Sequence, residues 1–196
     1  MTPENALIVA VPTHDMRMVI PSLLELNAVG RQVRRPLQSV MCQGSNIPRS
    51  RNHILQQLRQ LYPHRDTAWV LWIDSDVWIR PESALAIAEA LEWAHQHEQA
   101  IVGNYRMVNG ASVFMHSRNP QDGRHYSDEE LAQLPDYSEI ALTGFGFAYV
   151  PQLLDYTFRA DDIGEDIHFW WDHPEIHLHW PKAIHLGHLK EMLLTA

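Results

Sequence analysis

Two carboxylates, Asp74 and Asp76, directly follow the apolar run AWVLWI at residues 68–73, with Ser75 between them. Carboxylates are costly to desolvate unless a cation meets them. If the strand alternation continues through the motif, Asp74 and Asp76 point to one side and Ser75 to the other. Such oxygen ligands suit Mg²⁺ or Mn²⁺, with phosphates completing the shell. The spacing predicts a divalent-metal site, the alternative being an acidic surface turn.

Two further polar signals lie towards the C-terminus. The stretch GEDIHFW places Glu165 and Asp166 at a helix start, where acidic residues also complement the helix dipole without any catalytic role. The stretch IHLGHLK offers His185 and His188 near the end of a short strand. Ile184, Leu186 and His188 alternate together along the strand, but a single histidine is more often structural or exposed than a metal ligand, so both histidines stay open at this point.

The elements that must position these groups are readable in the first 106 residues. ALIVAVPT, PLQSVMCQG, AWVLWID and AIVGNYR are apolar strands, and amphipathic helices separate them. One of these helices starts at SNIPRSRN, with Ser50 as its predicted N-cap. Such alternation predicts right-handed crossovers and a mostly parallel sheet. Ligands bind at the carboxyl ends of such strands, here at 13–15, 74–76 and 104–106.

The second half of the chain is less regular. Turn residues dominate 107–136, with a hairpin and a short acidic helix in SDEELAQL. A glycine-punctuated strand follows in ALTGFGFAYV, and two short strands flank Pro181. The sequence contains no internal repeat or domain linker, so we expect one domain.

Composition excludes several classes of protein. A hydrophobic content of 45% with 20% charged residues is typical of a globular domain. The net charge of −9, from 24 acidic and 15 basic side chains, disfavours nucleic acid as a partner. The single cysteine, Cys42, and the absence of a signal peptide or transmembrane segment predict a cytoplasmic protein. A homo-oligomer is allowed.

The ordered set of motifs resembles the GT-A class of glycosyltransferases, in particular small bacterial and phage-type members of family 2. The matching stretches are VAVPTHD, LWIDSDVWIRPESAL, LTGFGFAYV, GEDIHFW and IHLGHLK, and they cover nearly the whole chain in order. The resemblance implies a single Rossmann-like α/β domain over 1–196 with a mostly parallel central sheet flanked by helices. Its nucleotide-binding half would be 1–106, and its acceptor-binding half 107–196.

The resemblance also implies roles for individual residues. A nucleoside-diphosphate sugar would be the donor, a glycan or another hydroxyl compound the acceptor, and Mn²⁺ or Mg²⁺ the cofactor. Asp166 would be the general base of an inverting transfer, assisted by Glu165. The remaining implied residues are the metal ligands Asp74, Asp76 and His188, the donor contacts Pro12, Thr13, Arg51, Asp74, Ser75 and Asp76, and the substrate contacts Asn104, Gly144, Gly146 and Trp170.

Departures from the family pattern leave alternatives open. In the family, a helix and a glycine turn usually follow the stretch that corresponds to GEDIHFW. In this chain WDHPEIHLHWPK stands in their place, so the acceptor-binding region is smaller than usual. A metal-dependent nucleotidyltransferase or phosphohydrolase would also use Asp74 and Asp76, and a noncatalytic nucleotide- or glycan-binding domain would keep the same motifs. The donor's base and sugar, the acceptor and the stereochemical outcome do not follow from motif spacing.

Overall fold

The computed structural model of the chain describes residues 6–13, 20–62, 69–107, 109–151, 156–159 and 164–188. The predicted strand-end residues His14 and Asp15 lie outside these ranges. Within them, the strands are β1 (Leu7–Thr13), β2 (Leu37–Gln43), β3 (Trp69–Ile73), β4 (Val77–Ile79), β5 (Ala100–Val102), β6 (Ser138–Ile140), β7 (Phe147–Pro151), β8 (Leu178–Trp180) and β9 (Leu186–His188). The α-helices there are α1 (Ile20–Gln32), α2 (Ile47–Leu61), α3 (Ser83–His97), α4 (Asp128–Gln133) and α5 (Glu165–Asp172).

The described part of the chain forms a seven-stranded central sheet in the order β2-β1-β3-β7-β5-β8-β6. Strands β1, β2, β3, β5 and β8 run in one direction, whereas β7 and β6 run against their neighbours. The α/β fold with a mostly parallel sheet is therefore confirmed. Strand β7 comes from the second half of the sequence and lies between β3 and β5 from the first, so both halves share one sheet.

Helices cover both faces of the sheet because the central strands are apolar on both sides. In β1 and β3, alternate residues belong to two separate cores. Helix α2 packs into one of them with Ile54, Leu55 and Leu58. Helices α1 and α3 pack into the other, with Leu26, Val29, Ile87, Leu91 and Ala94. The result is a three-layer α/β/α domain. Among the described helices, none has the length and apolar character needed to cross a membrane.

A separate two-stranded ribbon joins the middle of the chain to its C-terminal part. Strands β4 and β9 pair antiparallel, with Val77 opposite His188 and Ile79 opposite Leu186. The buried Ser22 hydroxyl of α1 anchors the ribbon, since it donates to the Val77 carbonyl and accepts from the Ile79 N–H, both at 2.9 Å. This ribbon brings His188 next to Asp76, the residue that precedes Val77.

The start of α2 differs from the prediction. Its N-cap is Asn46, whose side chain accepts a hydrogen bond from the Arg49 N–H at 2.9 Å. The predicted cap, Ser50, lies inside the helix and is 2% exposed. Asn46 is the better cap because Pro48 then falls in the first turn, where a missing N–H costs nothing.

Trp170 also lies elsewhere than predicted. Its side chain is 0% exposed, stacks on Phe145 with ring centroids 4.7 Å apart, and donates to the Thr143 carbonyl at 2.7 Å. No face of the ring is open to a sugar, so the prediction that Trp170 binds substrate is wrong. The neighbouring Trp171 is 38% exposed. Helix periodicity turns these two adjacent side chains in different directions.

We expect Trp170→Ala to lower the free energy of unfolding by about 3–5 kcal/mol, because it removes a fully buried aromatic side chain from the core. The matched variant Trp171→Ala should cost about 1 kcal/mol or less, as is usual for a partly exposed side chain. Urea unfolding followed by circular dichroism measures both changes. Equal losses in the two variants would contradict this placement of the rings.

Candidate active site

The DSD motif forms a turn at the end of β3. The Val77 N–H donates to the Asp74 carbonyl at 3.0 Å, which closes the turn, and the Asp74 N–H donates to the Gly146 carbonyl at 3.1 Å. The strand alternation predicted for Asp74 and Asp76 is therefore interrupted at Ile73, where β3 ends. The two carboxylates consequently reach different partners.

Asp74 meets the buried guanidinium of Arg51, which lies on α2. Nη2 of Arg51 donates to Asp74 Oδ1 at 3.1 Å, and Nε donates to Glu165 Oε1 at 3.2 Å. The Arg51 side chain is 2% exposed, and its guanidinium carbon lies 5.0 Å from the centre of the Phe145 ring. Cation–π contact of this kind favours a charged guanidinium in an apolar setting. Arg51 thus lies at the predicted site, but its hydrogen bonds go to protein carboxylates.

The environment of Asp74 opposes its ionisation. The side chain keeps 31% of its surface exposed, yet desolvation by the surrounding protein raises the pKa of its carboxyl. The Arg51 guanidinium lowers that pKa, and the nearby carboxylates of Asp76 and Glu165 raise it. Without the Arg51 charge, three carboxyl groups would stand close together with nothing to offset their repulsion but His188.

Asp76 meets His188, the residue that ends β9. The Asp76 Oδ2 and His188 Nε2 atoms are 3.1 Å apart. His188 is 9% exposed, whereas His185 is exposed and contributes backbone groups to hydrogen bonds with Ser83. Of the two histidines that the sequence left open, His188 is therefore the one beside the DSD motif.

The Asp76–His188 pair has a donor set that fits a divalent ion. Two ligand atoms bound to one ion at right angles, with bonds of about 2.1 Å, lie about 3 Å apart, which matches the observed separation. The imidazole favours a transition metal such as Mn²⁺ over Mg²⁺. Among the described residues no group of three or more His, Cys, Asp and Glu side chains converges on a metal position. Asp74 Oδ1 is taken by Arg51, so a direct metal bond from Asp74 would use its other oxygen.

Glu165 and Asp166 form the first turn of α5, as predicted. Gly164 precedes them with φ +105°, a conformation that side-chain-bearing residues rarely adopt. Burial, the largest cause, and the Glu165 charge together raise the pKa of Asp166 to about 6, and the Arg51 guanidinium opposes that rise. The Asp166 carboxyl is therefore half-ionised near pH 6 and mostly ionised at pH 7, which suits a group that accepts a proton.

Tyr105 occupies the space that Gly144 and Gly146 leave open, and it belongs to none of the motifs named above. A Cβ on Gly146 would lie 2.4 Å from the Tyr105 phenol, and one on Gly144 would lie 2.9 Å from its hydroxyl. The Gly146 N–H donates to the Tyr105 oxygen at 3.2 Å. Both glycines therefore make room for an aromatic side chain. The available signal was an aromatic residue with a polar hydroxyl in the loop that follows β5.

The remaining predicted contacts lie at or near the same sheet edge. Pro12 and Thr13 end β1 and are buried, and the Thr13 carbonyl accepts from the Gly44 N–H at 2.9 Å. Ser75 is partly exposed in the DSD turn. Asn104 accepts a hydrogen bond from the Ser112 hydroxyl at 2.7 Å, so its amide oxygen is engaged in fixing the loop after β5.

We expect Arg51→Gln to lower the free energy of unfolding by about 2–3 kcal/mol, less than for a fully buried pair because Asp74 is partly exposed. Arg49→Gln, an exposed position on the same helix, should change it by less than about 0.5 kcal/mol. Chemical denaturation at pH 7 checks both values. Because Arg51 holds down the pKa of Asp166, the Arg51 variant should also raise that pKa, which a proton titration by NMR can detect. An unchanged Asp166 titration would contradict the electrostatic role of Arg51.

Of the comparisons with known proteins, the one with solved structures gave matches. No protein family matches the sequence, and no curated protein matches it. A solved structure titled "crystal structure of a glycosyltransferase involved in the glycosylation of the major capsid of PBCV-1" is similar to this chain, with 12% sequence identity and a TM-score of 0.49. The similarity covers 93% of this chain and 94% of that chain.

Proposed function

We propose that this protein is a metal-dependent glycosyltransferase that moves a sugar from a nucleoside-diphosphate donor to a hydroxyl acceptor. The observation that carries the proposal is the convergence of the Asp76–His188 pair and the proton-accepting Asp166 around one sheet edge, with Arg51 holding the groups between them. In α/β sheets this edge, at the carboxyl ends of the strands, is where ligands bind.

The donor nucleotide would lie along this edge. A cleft of about 370 Å³ opens where β2 ends, and Gln43, Asn46, Ser50 and His53 are among its lining residues. Strand β1 lies between this cleft and the DSD turn, so the cleft suits the nucleoside and the turn suits the diphosphate. Pro12, Thr13 and Ser75 lie along the same path.

The metal would be held by Asp76 and His188. When bound, Mn²⁺ would offset the charge that builds up on the departing diphosphate. Asp74, fixed by Arg51, would orient the donor from the side of the turn nearest to α5.

The chemical step is a substitution at the anomeric carbon. Asp166 would accept the proton of the acceptor hydroxyl while that oxygen forms the new bond to the anomeric carbon. The bond from that carbon to the diphosphate oxygen breaks, and the nucleoside diphosphate leaves. A base on one side of the carbon and the diphosphate on the other imply inversion. Glu165 is engaged with Arg51 and would position Asp166 rather than take the proton.

Thermal unfolding with Mn²⁺ and each of UDP, GDP, ADP and CMP tests the donor site. We expect one nucleotide to raise the Tm in the presence of Mn²⁺, since a ligand at about 100 times its Kd adds about 2.7 kcal/mol. Asp76→Asn should abolish the shift, whereas the surface control Asp122→Asn should retain it. A shift that survives in Asp76→Asn would contradict this metal site, and no shift with any nucleotide would contradict a nucleotide-dependent function.

The pH dependence of turnover tests the role of Asp166. Because the proposed base must be ionised, kcat/KM should rise about tenfold per pH unit below pH 6 and level off above it. Asp166→Asn should bind the nucleotide as wild type does and lose at least about 100-fold in kcat. Rates that fall as the pH rises through 6 would mean that Asp166 acts as an acid. Ligand binding without any turnover in wild type would favour a noncatalytic domain.

A further inference from the structure

We infer that Tyr105 is the residue that contacts the transferred sugar, its hydroxyl donating a hydrogen bond to that sugar between the Asp76–His188 pair and Asp166. This inference rests on the proposed function and adds to it a sugar-binding residue outside the motifs of the sequence. Tyr105 follows β5 and belongs neither to the DSD motif nor to the acidic start of α5.

The phenol ring of Tyr105 lies between the two ends of the proposed site. On one side it is nearly parallel to the His188 imidazole, with ring centroids 6.2 Å apart and an angle of 20°. On the other side its hydroxyl lies 2.9 Å from the Cβ position of Gly144, and Asp166 Oδ2 lies 3.2 Å from that same point. The Tyr105 and Asp166 oxygens are therefore within about 6 Å of each other.

The hydroxyl has one unused hydrogen-bonding function. It accepts from the Gly146 N–H at 3.2 Å. Among the described residues no hydrogen bond is donated by the Tyr105 O–H, and the side chain is partly exposed. Burial, together with the nearby Asp74 and Asp166 carboxylates, raises the pKa of the Tyr105 phenol well above its usual value. Tyr105 therefore keeps its proton at neutral pH, offers a donor to a ligand and does not compete with Asp166 as a base.

The transferred sugar is the part of the ligand that must pass this hydroxyl. In an inverting transfer the leaving diphosphate and the base lie on opposite sides of the anomeric carbon. With the diphosphate at Asp76 and His188 and the base at Asp166, the sugar ring spans the gap that Tyr105 borders. A hydroxyl group of the sugar is the matching acceptor, while the aromatic ring supplies an apolar surface beside it.

The test compares two ligands that differ only in the sugar. Wild type, Tyr105→Phe and the control Tyr149→Phe are titrated by calorimetry, in Mn²⁺, with a nucleoside diphosphate and with the corresponding sugar nucleotide. The ligands are UDP, GDP and ADP, with UDP-glucose, UDP-N-acetylglucosamine, GDP-mannose and ADP-glucose. Tyr149 is the matched control because its hydroxyl is bonded to His95 at 2.6 Å, on the face of the sheet that α1 and α3 cover.

Tyr105→Phe should weaken the sugar nucleotide about tenfold, as expected for one hydrogen bond, and leave the affinity for the nucleoside diphosphate within about twofold. Tyr149→Phe should change neither affinity, although it also loses a buried hydrogen bond. Gly146→Ala, which displaces the phenol ring, should repeat the selective loss. A purely structural role for Tyr105 would weaken both ligands equally.

Two results would overturn the inference, and they are distinguishable. If wild type binds both ligands and Tyr105→Phe weakens both equally or neither, the sugar does not contact this hydroxyl, while the proposed function stands. If wild type binds no nucleotide and no sugar nucleotide, the proposed function fails and the inference fails with it. A melting curve of each variant without ligand establishes that it is folded.

Discussion

The contact on which the site depends is the buried guanidinium of Arg51, which binds Asp74 and Glu165 at the same time. These carboxylates come from distant parts of the sequence, one from the turn after β3 and the other from the start of α5. Their mutual repulsion would push the two elements apart unless a cation lay between them. A planar guanidinium with several donors can hold two carboxylates in fixed positions, which a lysine ammonium does less well.

This arrangement lowers the stability of the folded protein at neutral pH. Desolvation raises the pKa values of Asp74 and Asp166, so the folded protein holds their protons more tightly than the unfolded chain does. A carboxyl whose pKa is raised in the folded state destabilises the fold as the pH rises from its unfolded value, near 4, through its folded value. For Asp166 that window ends at about pH 6. The site is thus less stable in the ionised state that proton transfer requires, and the surrounding aromatic core must compensate.

The glycines of LTGFGFAYV have a reason that only their surroundings reveal. Read along the sequence, Gly144 and Gly146 suggest backbone that approaches a sugar. In the fold, the Tyr105 phenol fills the space beside them, and a Cβ at Gly146 would overlap it. Trp170 shows the opposite case, because an aromatic residue next to the acidic pair looks available for stacking but is 0% exposed in the core. Neither outcome follows from spacing, since both depend on which elements pack together.

Local patterns determined the helices, the apolar strands and the turn-rich 107–136 region, because propensity and periodicity act over a few residues. They also identified the acidic start of α5 and the DSD motif at a strand end. Only the tertiary structure decided that β7 enters the sheet antiparallel, that the β4–β9 ribbon brings His188 rather than His185 to Asp76, and that Arg51 faces inward. These features depend on the pairing of distant strands and on the desolvation of charges. Both are decided only when distant segments pack together, so the spacing of residues within one motif does not predict them.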